Sequence, residues 1–338
     1  MPELMKLLNS QDWLEIESGI LILGAIAEGC TNYGSPEFGN HLPELIEQMI
    51  KFGLTHEKAL IRSITCWTLS RYSTWIVHTT ISSYGYRSVD EARNQFLQPL
   101  VFTLLDRILD NSKRVQEAAC SAFATLEEEA TSEIEIYLDK IVNTLIKALK
   151  QYQAKNLLIL YDAIGTLADC ISEPLANAEN IAELLDELMQ KWNNMPSDPN
   201  DPRSTDIFQL LECLSAISTA IGRKFMNFSE TVFIKSVNMI SDCINYNKTY
   251  ENQQAEIEEC NQNNIELPSN ITILDSPNKD YMVVGLDLLS GVTEGLSSEV
   301  ARFIVQSQNS GLNVIDLMLE CTKDPQAEVR QSAFAFIG

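Results

Sequence analysis

Three observations predict an all-α chain of stacked antiparallel helical hairpins. Apolar residues recur at the helical period of about 100° per residue along most of the sequence. Blocks with the same pattern of small and apolar residues repeat along it, and no run alternates apolar and polar residues as a half-buried strand does. The 338 residues, 45% of them hydrophobic, supply apolar material for two ordinary domains or one elongated array.

The stretch 155–170, KNLLILYDAIGTLADC, shows the pattern most plainly. Leu157, Leu160, Tyr161, Ile164, Leu167 and Ala168 share one arc of a helix, and Asp162, Thr166 and Asp169 form a narrow acidic stripe opposite. In chain order, residues 2–9 read as the end of a helix. Asp12 is placed to cap the next, 13–30, whose Ile20, Leu23, Gly24 and Ala27 face the core. Pro43 suits the first turn of a helix running to Phe52, paired with 59–72. The segment TTISSYGYRS interrupts the period, so residues 73–92 are expected as a loop or insertion.

Residues 95–110 with 113–129 give the third pair, and 132–152 with 155–170 the fourth. The fifth joins 178–193 to 207–221 through the loop MPSDPNDPRSTD. A sixth begins with 230–247, and its partner, 281–295, is delayed by a stretch rich in Asn, Gln and Glu. The few apolar anchors of 248–278 predict a disordered insertion between the helices of one repeat. Residues 298–308 and 312–323 share the first-helix role of a seventh hairpin, and Glu328 begins its second helix, which reaches the last residue, as a segment of a longer solenoid would.

Aligning the second helices pairs Ser18, Ile61, Val115 and Val329, and pairs Asp162 with Glu212 and Asp287. The spacings, about 41 to 54 residues and about 75 across the Asn-rich stretch, match HEAT-type hairpins, which stack because none buries its apolar face alone. The predicted architecture is therefore a right-handed α-solenoid of about seven HEAT repeats over 1–338.

Asp and Glu number 47 against 24 Lys and Arg, a net charge of −23. Such a chain repels nucleic acid and anionic lipid and attracts basic ligands, although solubility alone also accounts for acidity. No apolar run reaches the roughly 20 residues of a membrane span, and MPELMKLLNS lacks a signal peptide's layout, so a soluble intracellular protein is expected. The eight cysteines form no CxxC pair and read as buried free thiols; three histidines, His41, His56 and His78, leave few zinc ligands. The sequons at Asn227, Asn247 and Asn270 carry little weight without a secretory signal. No Ser-His-Asp set, phosphate loop, HExxH or GxSxG is present, so neither catalysis nor a cofactor nor a metal is expected.

The acidic stripes carry more information. Asp162 and Asp169 recur in register as Asp287 and Glu294, both at i, i+7; Glu117 and Glu128 share a face at i, i+11. Thr166, Gly291 and Ser121 lie between them, leaving a low surface on which an extended peptide can place Lys or Arg. A solvated outer face is the alternative. Trp67 and Arg71 lie one turn apart, with Ile64 and Leu21 at equivalent positions of adjacent units; Trp67 is either core or an aromatic shelf for a proline or aromatic ring. Asp106, Arg107 and Arg114 fit hairpin-turn pairing. The run Glu127–Glu129 fits a solvated helix end, though negative charge there is unfavourable and hints at external use.

LILGAIAEGC, ALIRSITCWTLSRY, KRVQEAACSAFATLEEEA, KNLLILYDAIGTLAD, LLECLSAI, LDLLSGVTEGL and EVRQSAFAFIG closely resemble, in order, successive inner helices of the karyopherin-β family of nuclear import receptors. The resemblance is to the branch that carries proline-tyrosine nuclear localisation signals. It implies an α-solenoid whose C-terminal arch holds cargo signals on its concave side until Ran-GTP displaces them in the nucleus. By resemblance, the proline-tyrosine end meets Leu21, Ile64, Trp67 and Arg71, with Glu117, Ala118, Glu128, Asp162, Thr166 and Asp169 along the peptide's path. The central and upstream part, basic or hydrophobic, meets Glu212, Ser215, Asp287 and Glu294. Implied partners are RNA-binding cargo proteins, Ran GTPase through repeats mostly outside this segment, and FG nucleoporins, with shuttling between cytoplasm and nucleus and no direct nucleic acid or membrane insertion. Residues 73–92 and 248–278 depart from the family pattern. The competing reading is a HEAT scaffold that binds partners through loops and hairpin edges.

Overall fold

The computed structural model describes residues 2–31, 40–82, 86–195, 207–263, 272–309, 311 and 313–338. They are helical with short connections, contain no strand, and fall into two compact units, Met1–Asp201 and Pro202–Gly338. The first unit opens with α1 (Pro2–Leu8), α2 (Trp13–Thr31), α3 (Leu42–Gln48, prolonged by a π turn) and α4 (Ala59–Ser70). There follow α5 (Ser73–Ser82), α6 (Val89–Ala92), α7 (Gln98–Ile108) and α8 (Lys113–Ala130). It closes with α9 (Leu138–Gln151), α10 (Ala154–Ile171) and α11 (Ile181–Asn193). The second unit contains α12 (Ile207–Ile221), α13 (Met226–Gln262), α14 (Asp280–Leu296), α15 (Ala301–Asn309), α16 (Val314–Cys321) and α17 (Ala327–Ile337).

Second helices of successive hairpins pack on one another. In the first unit α2 meets α4, α4 meets α8 and α8 meets α10; in the second α12 meets α14 and α14 meets α17. The arc read on α10 is the buried one: Leu160, Tyr161, Ile164, Leu167 and Ala168 are inaccessible or nearly so. Leu157 is only half-buried, and Ala163 and Ile171 complete the face. Side chains also grip the neighbouring backbone. Thr68 Oγ1 donates to Ile20 O (3.1 Å), Tyr72 OH to Leu23 O (2.9 Å), and Asn156 Nδ2 to Lys113 O (2.9 Å). Such bonds fix the axial register of one hairpin on the next, which apolar contact alone leaves loose.

The ends of these second helices repeat as well. Thr131, Ser172 and Ser297 follow α8, α10 and α14 with φ of 39°, 54° and 49°, and each donates its N–H to the carbonyl four residues back. A short 3₁₀ turn then leads to the following helix in all three cases.

Two expectations are corrected. Residues 73–82, expected as loop, form α5: Ile76, Val77, Thr79 and Thr80 are buried, and Thr80 Oγ1 satisfies Ile76 O internally (2.8 Å). Trp75 and Tyr86 stand edge-on to Phe96 at 5.5 and 5.7 Å, so tertiary burial overrides the weak helix propensity of a β-branched run. Residues 83–85 of that segment lie outside the described ones. Residues 248–262, expected as disordered, prolong α13 to 37 residues. No Gly or Pro interrupts them, and the returning chain is tied to the helix. Gln253 bonds Thr272 O and Leu274 N (2.9 and 2.8 Å), and Tyr246 OH donates to Asp275 O (3.0 Å). The remainder of that insertion, 264–271 with the Asn270 sequon, and the 196–206 loop lie outside the described residues.

Candidate peptide-binding surface

Trp67 is on the surface, 42% exposed, and not in the core. What holds it there is Gly24 on α2. A Cβ on that residue would lie 2.9 Å from Trp67 Cη2, so only glycine lets the indole rest against the α2 backbone. Arg71 Nε donates to Gly24 O (2.7 Å), and the guanidinium stands 5.6 Å from the indole centroid. Backbone, indole and guanidinium thus form one shelf, held from both sides. Ile64, one turn earlier on α4, is half-buried, and Leu21, three residues before Gly24, is 41% exposed. Leu14 and Ile22 add exposed apolar surface on α2. Gly24, read in the sequence on the apolar side of its helix, is indeed buried, and it lies beneath the indole; its spacing to Trp67 across 43 residues gave no local signal of that.

On α8, Glu117 and Glu128 are exposed and Ala118 half-buried; on α10, packed beside it, Asp162 and Asp169 are exposed and Thr166 half-buried. Among the described residues no Lys or Arg pairs with these four carboxylates, whereas Glu133 and Glu183 elsewhere in the unit hold Arg93 and Lys150 at 2.7 Å. Loss of surrounding water raises Asp169 above the ordinary aspartate value. The row is a patch of uncompensated negative potential over small side chains, suited to cations on an extended chain.

The first residue of the EEE run is not solvated as expected. Glu127 is fully buried, and neither carboxylate oxygen has a hydrogen-bond partner. Burial first, then Asp162 and Glu128, push its carboxyl well above the ordinary glutamate value. Cys120 and Cys170 sense the same charge; burial pushes those thiols up to about 12 and about 11, where they are inert at neutral pH. Cys66, Cys120, Cys170, Cys213, Cys243, Cys260 and Cys321 carry free thiols.

In the second unit Asp287 and Glu294 are exposed on α14 and Glu212 on α12. Ser215 is engaged in packing: its Oγ donates to Asp287 O (3.1 Å), and a Cβ at Gly291 would meet that Oγ at 2.6 Å. A concavity of about 350 Å³ is lined by Glu135, Ile136, Asp139 and Glu173 near the hairpin turns, away from the candidate residues, which lie on open helix faces. Among the described residues no cluster of three or more His, Cys, Asp or Glu suits a metal ion, and no helix is long and apolar enough to cross a membrane.

Comparison with known proteins places this geometry. The family described as Importin subunit beta-1-like, TPR repeats, matches residues 74–259, more than half of the chain, and a HEAT-like repeat matches 13–72. Transportin-1 of Homo sapiens is 44% identical over 338 residues, which are 100% of this chain and 33% of that protein. Importin subunit beta-2 of Schizosaccharomyces pombe is 37% identical with the same coverage. The chain thus spans about a third of the length of the curated relatives it matches. In fold, importin beta crystallised in an ammonium sulfate condition superposes with a TM-score of 0.58 at 14% identity, covering 99% of this chain and 40% of that one. The chain belongs to the importin-β, or karyopherin-β, family of HEAT-repeat α-solenoid proteins.

Proposed function

We propose that this chain is the cargo-signal-binding part of a nuclear import receptor, taking an extended basic peptide that ends in a proline-tyrosine pair. The observation that carries this reading is the shelf: an indole left 42% exposed, yet immobilised by Gly24 and Arg71. Exposed tryptophan on a prebuilt support binds flat or ring-shaped apolar groups without losing rotamer freedom. Leu21 and Ile64 widen the apolar floor. Glu117, Glu128, Asp162 and Asp169 take the Lys or Arg of the same peptide, and Ala118 and Thr166 keep its path low. Asp287, Glu294, Glu212 and Ser215 receive the central and upstream part. The kinship with Transportin-1 supports import as the process, with Ran GTPase and FG nucleoporins as further partners and shuttling between cytoplasm and nucleus. The test is calorimetric titration of an Arg-containing proline-tyrosine peptide into the 338-residue chain. Trp67→Ala weakens binding by roughly 2 kcal/mol, the scale of an aromatic hot spot; unchanged affinity removes the shelf from the site.

A further inference from the structure

Glu127 stands apart from the other acidic residues of the first unit. Its two oxygens are buried and lack any donor, a state that costs several kcal/mol for an anion and far less for a neutral acid. The charges acting on it are all negative: Asp162 from α10 and Glu128 from its own helix. The thiols Cys120 on α8 and Cys170 on α10 are coupled to it as well. From α4, α5, α7 and the turn Thr131–Tyr137, which also pack on α8, no charged group among the described residues acts on it. Asp162 and Glu128 are therefore shared: each faces solvent as part of the acidic row, and each bears on the buried carboxyl.

We propose that Glu127 is a proton-linked member of the basic-peptide surface, carrying a proton while the surface is empty and releasing it to solvent when a cationic side chain settles beside Asp162 and Glu128. The inference rests on the peptide-binding reading above. A Lys or Arg cancels the repulsion from those two carboxylates and favours the Glu127 anion. The proton goes to water, and the bound cation supplies the counter-charge. Linkage then requires the reciprocal effect: raising the pH strengthens peptide binding, by up to about tenfold per pH unit if release is complete. The same linkage sets the stability of the empty chain. A carboxyl held neutral in the folded state and ionised in the unfolded one stabilises the fold less as pH rises from the ordinary glutamate value toward its own.

The experiment is titration calorimetry of the Arg-containing proline-tyrosine peptide in two buffers of different ionisation enthalpy, between about pH 6 and 8. The parent chain releases a measurable fraction of a proton on binding; Glu127→Gln, which keeps shape and removes the ionisation, binds without that release and loses the pH slope. Equal release by both chains, or none by the parent, overturns the proposal. Infrared spectroscopy of the peptide-free parent at neutral pH gives an independent reading: a protonated carboxylic-acid carbonyl band, absent in Glu127→Gln and lost from the parent when peptide is added. If the parent shows no such band, the proposal fails even where the peptide binds. If the peptide fails to bind while the band is present, it is the peptide-binding reading that fails, and the linkage with it. Should Glu127→Gln not fold, the response of the parent band to peptide decides alone.

Discussion

At the scale of single residues, a two-bond ion pair in the first unit joins positions 48 apart. Arg62 meets Asp110 through two bonds, Nε to Oδ2 at 2.9 Å and Nη2 to Oδ1 at 2.8 Å, and Arg107 adds a third at 3.0 Å. Burial raises the Asp110 carboxyl, but the hydrogen bonds from Arg62 and the Ser112 N–H, with both arginine charges, carry it below the ordinary aspartate value. With both side chains largely buried, removing Arg62 takes away two of the bonds to Asp110 and leaves it Arg107 and the Ser112 N–H alone. Arg62→Ala is expected to lose about 3 kcal/mol at neutral pH, measured by denaturant unfolding. The sign with pH follows from the lowered value. The contribution is whole above the ordinary aspartate value and is lost as pH falls through the folded one, so parent and variant converge in acid. An equal loss at every pH would leave the ion pair out of the stability. Reading the sequence gave Asp106, Arg107 and Arg114 to hairpin-turn pairing but did not find Arg62, because nothing local links it to Asp110. Glu127 was missed for the opposite reason: the sequence shows three identical acids, and only packing of α10 on α8 tells the first one apart.

At the scale of helices, the repeat is legible in detail. Arg62, Gln116 and Arg330 occupy one register position, and each reaches six residues back to cap its hairpin turn: Arg62 to His56 O, Gln116 to Asp110 O, Arg330 to Asp324 O, all at 2.7 Å. Asp110 and Asp324 are likewise equivalent, each accepting the N–H two residues on and a cation from the preceding repeat. Small and apolar spacing in the sequence predicted this alignment. It could not reveal the helix ends, since Thr131, Ser172 and Ser297 are ordinary hydroxyl residues whose positive φ arises from how the chain must turn into the next 3₁₀ segment. An L-residue there bears steric strain that glycine lacks. Ser172→Gly is expected to raise stability by about 0.5–1 kcal/mol, less the entropy glycine restores to the unfolded chain. Thermal unfolding reads it, and a clear loss would mean that the Ser172 hydroxyl, bonded to Asp169 O at 3.2 Å, outweighs the strain.

At the scale of the molecule, the proposed peptide site predicts separable contributions from the charge of −23 and from the shelf at Trp67. Unpaired carboxylates act over roughly a Debye length, about 10 Å at 0.1 M salt, and so govern encounter with a basic peptide. The indole acts only in contact and so governs escape. Stopped-flow measurement across about 0.05 to 0.5 M salt is expected to show the association rate falling roughly tenfold while dissociation changes little. Trp67→Ala should do the reverse, speeding dissociation and sparing association. Charge reversal of Asp162 with Asp169 should flatten the salt dependence of association and leave a Trp67-dependent residue of affinity. A salt-independent association rate would remove the acidic row from the encounter, and partners that stay bound through that charge reversal would favour a scaffold that holds them by hairpin edges.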